Sequence, residues 1–235
     1  MTISQFTNKT CDESEVYECL LSLDGKDILE LGCGNAEMTR LIATSGHNRR
    51  ITATEVDEIQ HRKNISIDDL HNVNFIMAGS ESIPFENESF DVVFMFKSLH
   101  HVPIEFMNDA LREVERVLRS GGLVYISEPV FEGDFNELIR LFNDEEQVRK
   151  AAYSAIKKDI AAEDLFLVQE LYFNTEMVFE SFEEFERKVI NVTHTNHHLS
   201  PELHKRVKEN FLLYMGDDGA RFLMPNRVNL LQKKV

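Results

Sequence analysis

Short apolar runs recur along the first half of the chain, at Asp27 to Leu31, Ile51 to Glu55, Val73 to Met77, Phe90 to Phe96 and Leu123 to Ser127. Runs of this length, rich in β-branched and aromatic residues, predict buried strands. The stretches between them carry helical or loop patterns. Strands alternating with helices predict βαβ units and a doubly wound parallel sheet. Ahead of the first strand, Val16, Cys19, Leu20 and Leu23 fall at helical spacing, with Asp12 or Ser14 as N-cap and Asp24-Gly25 as the stop.

Beyond Pro129 the pattern changes. Phe135 to Lys158 is charged and amphipathic, with Leu138, Ile139, Leu141, Phe142 and Val148 on one face, and predicts helix broken near Asn143. Phe182 to Asn191 and Pro201 to Met215 predict two more helices, the last opened by a Ser200 cap and a first-turn proline. Strand-like runs at Leu165 to Phe173 and Arg221 to Leu231 extend the sheet edge and leave the helices between them as a lid. Phe131, Phe135, Phe142, Phe166, Phe173, Phe179, Phe182 and Phe185 are expected to fill the lid core. The expected organisation is residues 1–130 as a ligand-binding core with an N-terminal helix. Residues 131–235 follow as a helical lid and substrate region plus terminal sheet strands, within the same domain.

At 235 residues the chain suits one α/β domain. Its 25 basic against 41 acidic residues give a net charge of -16, which repels a polyanion and argues against nucleic acid as a partner. Cys11, Cys19 and Cys33 have neither the count nor the spacing of a disulfide framework or zinc site, so reduced thiols and a cytoplasmic location are expected. No apolar run approaches the ~20 residues that span a bilayer, so no membrane association is expected.

The segment Asp27-Ile28-Leu29-Glu30-Leu31-Gly32-Cys33-Gly34-Asn35-Ala36-Glu37 runs from an apolar strand into small residues and then a helix. Glycines there let the backbone turn sharply and let a ligand approach it at the strand's C-terminal end. A dinucleotide fingerprint needs a third small residue at position 37, where this chain has Glu. That carboxylate would compete with a pyrophosphate for the helix N-terminus, so a ligand without phosphates, such as the sulfonium S-adenosylmethionine, fits better.

Glu30-Leu31-Gly32-Cys33-Gly34-Asn35-Ala36 resembles the first motif of the class I S-adenosylmethionine-dependent methyltransferase family, with Ala36 in place of the last glycine. Ile51 to Asp57, Ala78 to Phe85, Phe90 to Pro103 and Leu118 to Leu123 are similar to the family's later segments in order and spacing, so the resemblance covers roughly Leu23 to Pro129. It implies a Rossmann-like, mostly parallel seven-stranded sheet, with a helical lid inserted near the C-terminus between the fifth strand and a terminal antiparallel pair. It also implies S-adenosylmethionine as methyl donor, with S-adenosylhomocysteine as product. Glu30, Gly32, Cys33 and Gly34 would surround the methionine end, Glu55 and Val56 the ribose, Gly79 and Ser80 the adenine, and Phe96 would line the cofactor or pack as a core aromatic. Asp57 reads as a helix cap. Gly79 departs from the family's adenine-binding Asp, so a backbone carbonyl, Ser80, Glu81 or water must replace that acceptor.

Methyl transfer from a sulfonium is an in-line displacement governed by positioning, with a base needed for a protonated acceptor. Candidates at the exits of the fourth and fifth strands are Lys97, His100, His101 and Glu128. Lys97 is expected as a solvated surface lysine, with pairing to an acidic substrate as the alternative. The histidines either orient substrate or pack at a helix start, and Glu128 either faces the acceptor or anchors its loop. His194, His197 and His198 are expected as polar lid residues, and no metal is expected. A small-molecule acceptor is expected, with a protein bearing a basic tail as the alternative. A non-catalytic cofactor-binding or interaction module of the same fold and an NAD-dependent oxidoreductase, disfavoured by Glu37, are the rival readings.

Overall fold

The computed structural model describes residues 9–162, 165–192 and 197–235. Five parallel strands, β1 (Asp27–Leu31), β2 (Arg50–Glu55), β3 (Val73–Met77), β4 (Phe90–Phe96) and β5 (Leu118–Pro129), are followed by β6 (Leu165–Phe179), the two-residue β7 (Met215–Gly216) and β8 (Gly219–Lys233). Across the sheet the order is β3-β2-β1-β4-β5-β8-β6, with β7 paired to β8 beside this path. β8 runs antiparallel to both β5 and β6. The chain turns outward in both directions from β1 and β4, and ligands of open α/β sheets bind at such a switch point, beyond the strands' C-terminal ends.

Alternation along the strands divides the core in two. Leu29, Leu31, Val93, Met95, Val124 and Ile126 face one side, packed by helices α4 (Met107–Val117) and α6 (Glu146–Ala162). Ile28, Val92, Phe94, Phe96 and Tyr125 face the other, where α1 (Glu13–Leu20) contributes Val16 and Tyr17 and α2 (Glu37–Thr44) contributes Ile42. Strands buried on both faces must be apolar throughout, which is why these runs stand out in the sequence. The exception is β5. Leu118 to Leu123, which reads as a turn, is a bulged continuation of the strand, with Gly121 at φ +74° and a register shift between Phe90 and Val92 on β4.

β6 and β8 form a long hairpin that outruns its neighbour. β8 pairs with β5 only from Asn226 to Gln232, whereas its pairing with β6 continues to Ala220 opposite Phe179. The overhang carries a third core in which Phe135, Phe179, Phe182, Phe185, Val207, Phe211 and Phe222 pack together. Its helices are α5 (Asp134–Ile139), α7 (Phe182–Phe185) and α8 (Pro201–Leu212). The lid is thus not one insertion before the terminal strand pair. α5 and α6 lie between β5 and β6, and α7 and α8 lie inside the hairpin. The predicted helix Phe182 to Asn191 is one α-helical turn continued by a π-helix, Glu186–Ile190. Phe166, half-exposed on β6, and Phe173, in the core beneath α1, are not part of the lid core.

Phe211 lies with its ring centroid 5.2 to 6.2 Å from those of Phe179, Phe182, Phe185 and Phe222. Phe211→Ala is expected to cost about 3 to 5 kcal/mol through lost burial and a residual cavity, read from the urea unfolding midpoint.

Candidate functional site

β1 ends at Leu31 and the chain turns through three left-handed residues, Gly32 (φ +72°), Gly34 (φ +52°) and Ala36 (φ +62°), before α2 begins. Gly32 is required twice over: a Cβ there would stand 2.8 Å from Cβ of Ser98. Ser98 itself donates to the Leu31 carbonyl at 2.8 Å, drawing the exit of β4 against the exit of β1. At Ala36 a left-handed conformation is imposed on a residue with a Cβ, which glycine would adopt without that penalty.

The loop is shaped by a carboxylate from the next strand. Glu55, the last residue of β2, accepts from the Gly34 N–H at 2.8 Å and from the Val56 and Asp57 N–H groups at 2.8 Å each. Cys33 donates its N–H to the Thr54 carbonyl, and Asn64, ending α3 (Glu58–Asn64), donates to the Gly34 carbonyl at 2.7 Å. Asp57 caps α3 through the N–H groups of Ile59 and Gln60, as expected. Val56 is exposed beside Glu55. Glu30 lies beneath the loop, 1% exposed, and accepts from the Thr39 hydroxyl at 2.6 Å. Burial, reinforced by Glu55 and opposed by Thr39, pushes its pKa up to about 8. Burial likewise drives the Cys33 thiol far above the ordinary range.

Past β3, Gly79 and the buried Ser80 begin the next loop. A Cβ placed on Gly79 would meet both carboxylate oxygens of Glu81 at 2.5 Å. Glu81 therefore puts its acid group where the side chain of an Asp at position 79 would begin.

The exits of β4 and β5 hold buried charge. Lys97, at φ +52°, is not a solvated lysine: its ammonium reaches Oε2 of Glu13 on α1 at 2.6 Å, and the two side chains are 31% and 5% exposed. The other Glu13 oxygen accepts from Tyr125 of β5 at 3.1 Å. Sequence spacing gave no sign of Glu13, whose surface-helix pattern conceals an inward acid. Phe96 stacks on Phe94 at 4.9 Å within the aromatic core. Nearby, the hydroxyls of Tyr17 and Ser127 are sealed from solvent without a partner among the described residues.

On the opposite face, Glu128 of β5 accepts from the Leu99 N–H at 2.9 Å and bonds Nδ1 of His100, which is 4% exposed. Nε2 of His100 lies 4.0 Å from Glu145, a carboxylate held by Arg149 at 2.6 Å. Burial depresses the imidazole's pKa, but Glu128 and Glu145 outweigh it and leave the ring above its ordinary value. Burial would raise Glu128, and His100 reverses this and holds it below the usual range. His101 is exposed. His100, His101 and Glu145 bring metal-type donor atoms within 4.8 Å of one another. His197 packs edge-on against Phe142 and His198 is exposed, while His194 lies outside the described residues. A shallow hollow of about 420 Å³ between Asp27, Arg50, His71 and Phe85 lies at the other end of the strands, away from the glycine turn. Among the described residues no helix is long and apolar enough to cross a membrane.

Residues 29–126 match the sequence model of the methyltransferase domain. Over 118 residues, 48% of this chain and 51% of the relative, the sequence is 33% identical to O-methyltransferase rstn1 of Aspergillus nomiae. Over 104 residues, 42% of this chain and 36% of the relative, it is 36% identical to 27-O-demethylrifamycin SV methyltransferase of Amycolatopsis mediterranei. The match thus spans about half the length, or less, of these curated relatives. The fold is similar to that of the YcgJ protein of Bacillus subtilis, with a TM-score of 0.62 at 19% identity over 94% of this chain and 98% of that one.

Glu30 generates a pH signature. Its pKa of about 8 when folded, against an ordinary 4.5, means the folded chain binds the extra proton, so stability is expected to fall as pH rises through that interval. Glu30→Gln is expected to remove this part of the decline, seen as a flatter melting temperature between about pH 5 and about pH 8.

Proposed function

We propose, from the match of residues 29–126 to the methyltransferase domain, that the chain is a class I S-adenosylmethionine-dependent methyltransferase that transfers a methyl group to a small molecule. The observation that carries this reading is the glycine turn after β1, gathered by the Glu55 carboxylate at the exit of β2. The residues fit an adenosyl sulfonium. Gly32 to Gly34 offer backbone without side chains to the methionine end, Glu30 supplies an acid behind that turn, and Glu55 with Val56 flanks the ribose. Glu81 replaces the adenine-binding acid that Gly79 lacks, supported by its carboxylate lying over the Gly79 Cα. The relatives' names, and a net charge of -16 that disfavours a polyanion, support a small acceptor.

The bound sulfonium supplies an electrophilic methyl whose departing thioether takes the S–C electron pair. What the chain must add is alignment of the acceptor, exclusion of water and a place for the acceptor's proton. His100 is suited to the last task. Glu128 holds Nδ1 and leaves Nε2, 4.0 Å from Glu145, as the nitrogen to take the proton, and the same carboxylate stabilises the imidazolium that forms when the proton arrives. Because Glu128 and Glu145 hold the ring's pKa above its ordinary value, the neutral, proton-accepting form gains as pH rises.

Calorimetric titration with S-adenosylhomocysteine is expected to show saturable one-to-one binding, and its absence defeats the proposal. Glu81→Ala should weaken that binding by about tenfold, the loss of one hydrogen bond to a carboxylate. Turnover of an O–H or N–H acceptor should climb with pH through an ionisation above that of a free histidine. His100→Asn should flatten this climb while leaving S-adenosylhomocysteine affinity in place.

A further inference from the structure

Arg227 of β8 is 8% exposed, yet its guanidinium is under-used. Nε donates to Oδ1 of Asn229 at 3.0 Å, and the guanidinium carbon lies 3.7 Å from the centroid of the Tyr153 ring on α6. Among the described residues, neither Nη atom meets an acceptor within hydrogen-bonding distance. The neighbouring acids are committed elsewhere. Glu128 serves Leu99 and His100, while Glu170 on β6 takes the hydroxyls of Tyr153 and Tyr172 and the amide of Asn229. The Nη atoms are not among the polar atoms sealed from solvent without partners, so they keep some access to solvent. Burial pushes the group's pKa down, the mark of a cation not fully compensated by its surroundings.

The position of this open fork is informative. In the sheet register Glu128, Arg227 and Tyr172 form one row across β5, β8 and β6, so their side chains share a face. Glu128 is the carboxylate that holds His100, at the C-terminal end of β5. Arg227 therefore stands one strand across from the carboxylate that holds His100, the group proposed to receive the acceptor's proton. Two arginines lie near this row, Arg227 and Arg149, the latter with a side chain 11% exposed. Arg149 is neutralised by Glu145, and Arg227 is not.

We propose that Arg227 anchors an anion subsite on the acceptor side, with the Tyr153 ring stacked against its guanidinium, and that it takes a carboxylate or phosphate group of the methyl acceptor. A planar fork with two unused N–H pairs matches two oxygens of such a group at once. The ligand's identity as the methyl acceptor rests on the methyltransferase reading; the anion site itself rests on the geometry of Arg227 alone.

The test is calorimetric titration of the full chain with inorganic phosphate and, separately, with acetate, at matched ionic strength. S-adenosylhomocysteine is titrated in parallel. Saturable one-to-one binding of at least one anion is expected, weakened about tenfold or more by Arg227→Met and less by Arg227→Lys, which keeps the charge but loses the fork. Both variants should bind S-adenosylhomocysteine as the parent does, and Arg227→Lys decides the matter if Arg227→Met fails to fold. Saturation by phosphate alone assigns a phosphate-bearing acceptor, and saturation by acetate alone a carboxylate. A parent chain that binds S-adenosylhomocysteine but neither anion overturns the subsite, as does anion binding unchanged in both variants. Anion binding lost with Arg227, in a chain that never binds S-adenosylhomocysteine, upholds the subsite and counts against the methyltransferase reading.

Discussion

The Glu55 carboxylate is the contact on which the geometry of the site depends. Parallel strands deliver their C-terminal ends side by side, but nothing in the ladder itself fixes the loops that leave them. Glu55 does so by taking N–H groups from two loops at once, Gly34 after β1 and Val56 and Asp57 after β2. These donors would otherwise face an open edge, and their pairing fixes where α2 and α3 begin. Asn64 completes the frame by returning from the end of α3 to the Gly34 carbonyl. The turn is thus held from the acid side and the amide side, and its glycines bend within a frame set by β2.

A different arrangement governs the exits of β4 and β5. There the charged groups pair: Lys97 with Glu13 and His100 with Glu128 join segments far apart in the chain, and Arg149 holds Glu145 one helical turn away. The first two pairs tie the exit of β4 to α1 and to β5, so α1 is fastened over the C-terminal edge by charge as well as by apolar packing. Such pairs are costly to break from one side, because the surviving charge stays buried. Arg227 departs from this arrangement, since its carboxylate neighbours are bound to other groups.

How much of this was legible in the sequence follows from the range of the forces involved. β1 and β4 lie where the apolar runs place them, because strands buried on both faces leave an unbroken signature, and the half-exposed edge strand β3 also matches its run. The break near Asn143, the Asp57 cap and the Ser200-Pro201 helix start are likewise local events and were readable as such. Lys97 was misjudged because its partner lies 84 residues earlier, on a helix whose pattern gives no hint that Glu13 points inward. Glu145, Arg149 and Arg227 escaped notice for the same reason, since only the folded sheet brings them beside Glu128. The substitution of Ala36 for glycine looked like one added methyl, whereas its left-handed backbone makes it a conformational matter.

The overhanging hairpin carries a last implication. The third core is built from residues after Asp134, while the methyltransferase match ends at residue 126, so the two share no side chain. The phenylalanine packing of the cap can therefore be resized without touching a residue of the segment that matches the methyltransferase domain. The molecule is divided, along its own strands, into two cores that can be repacked independently.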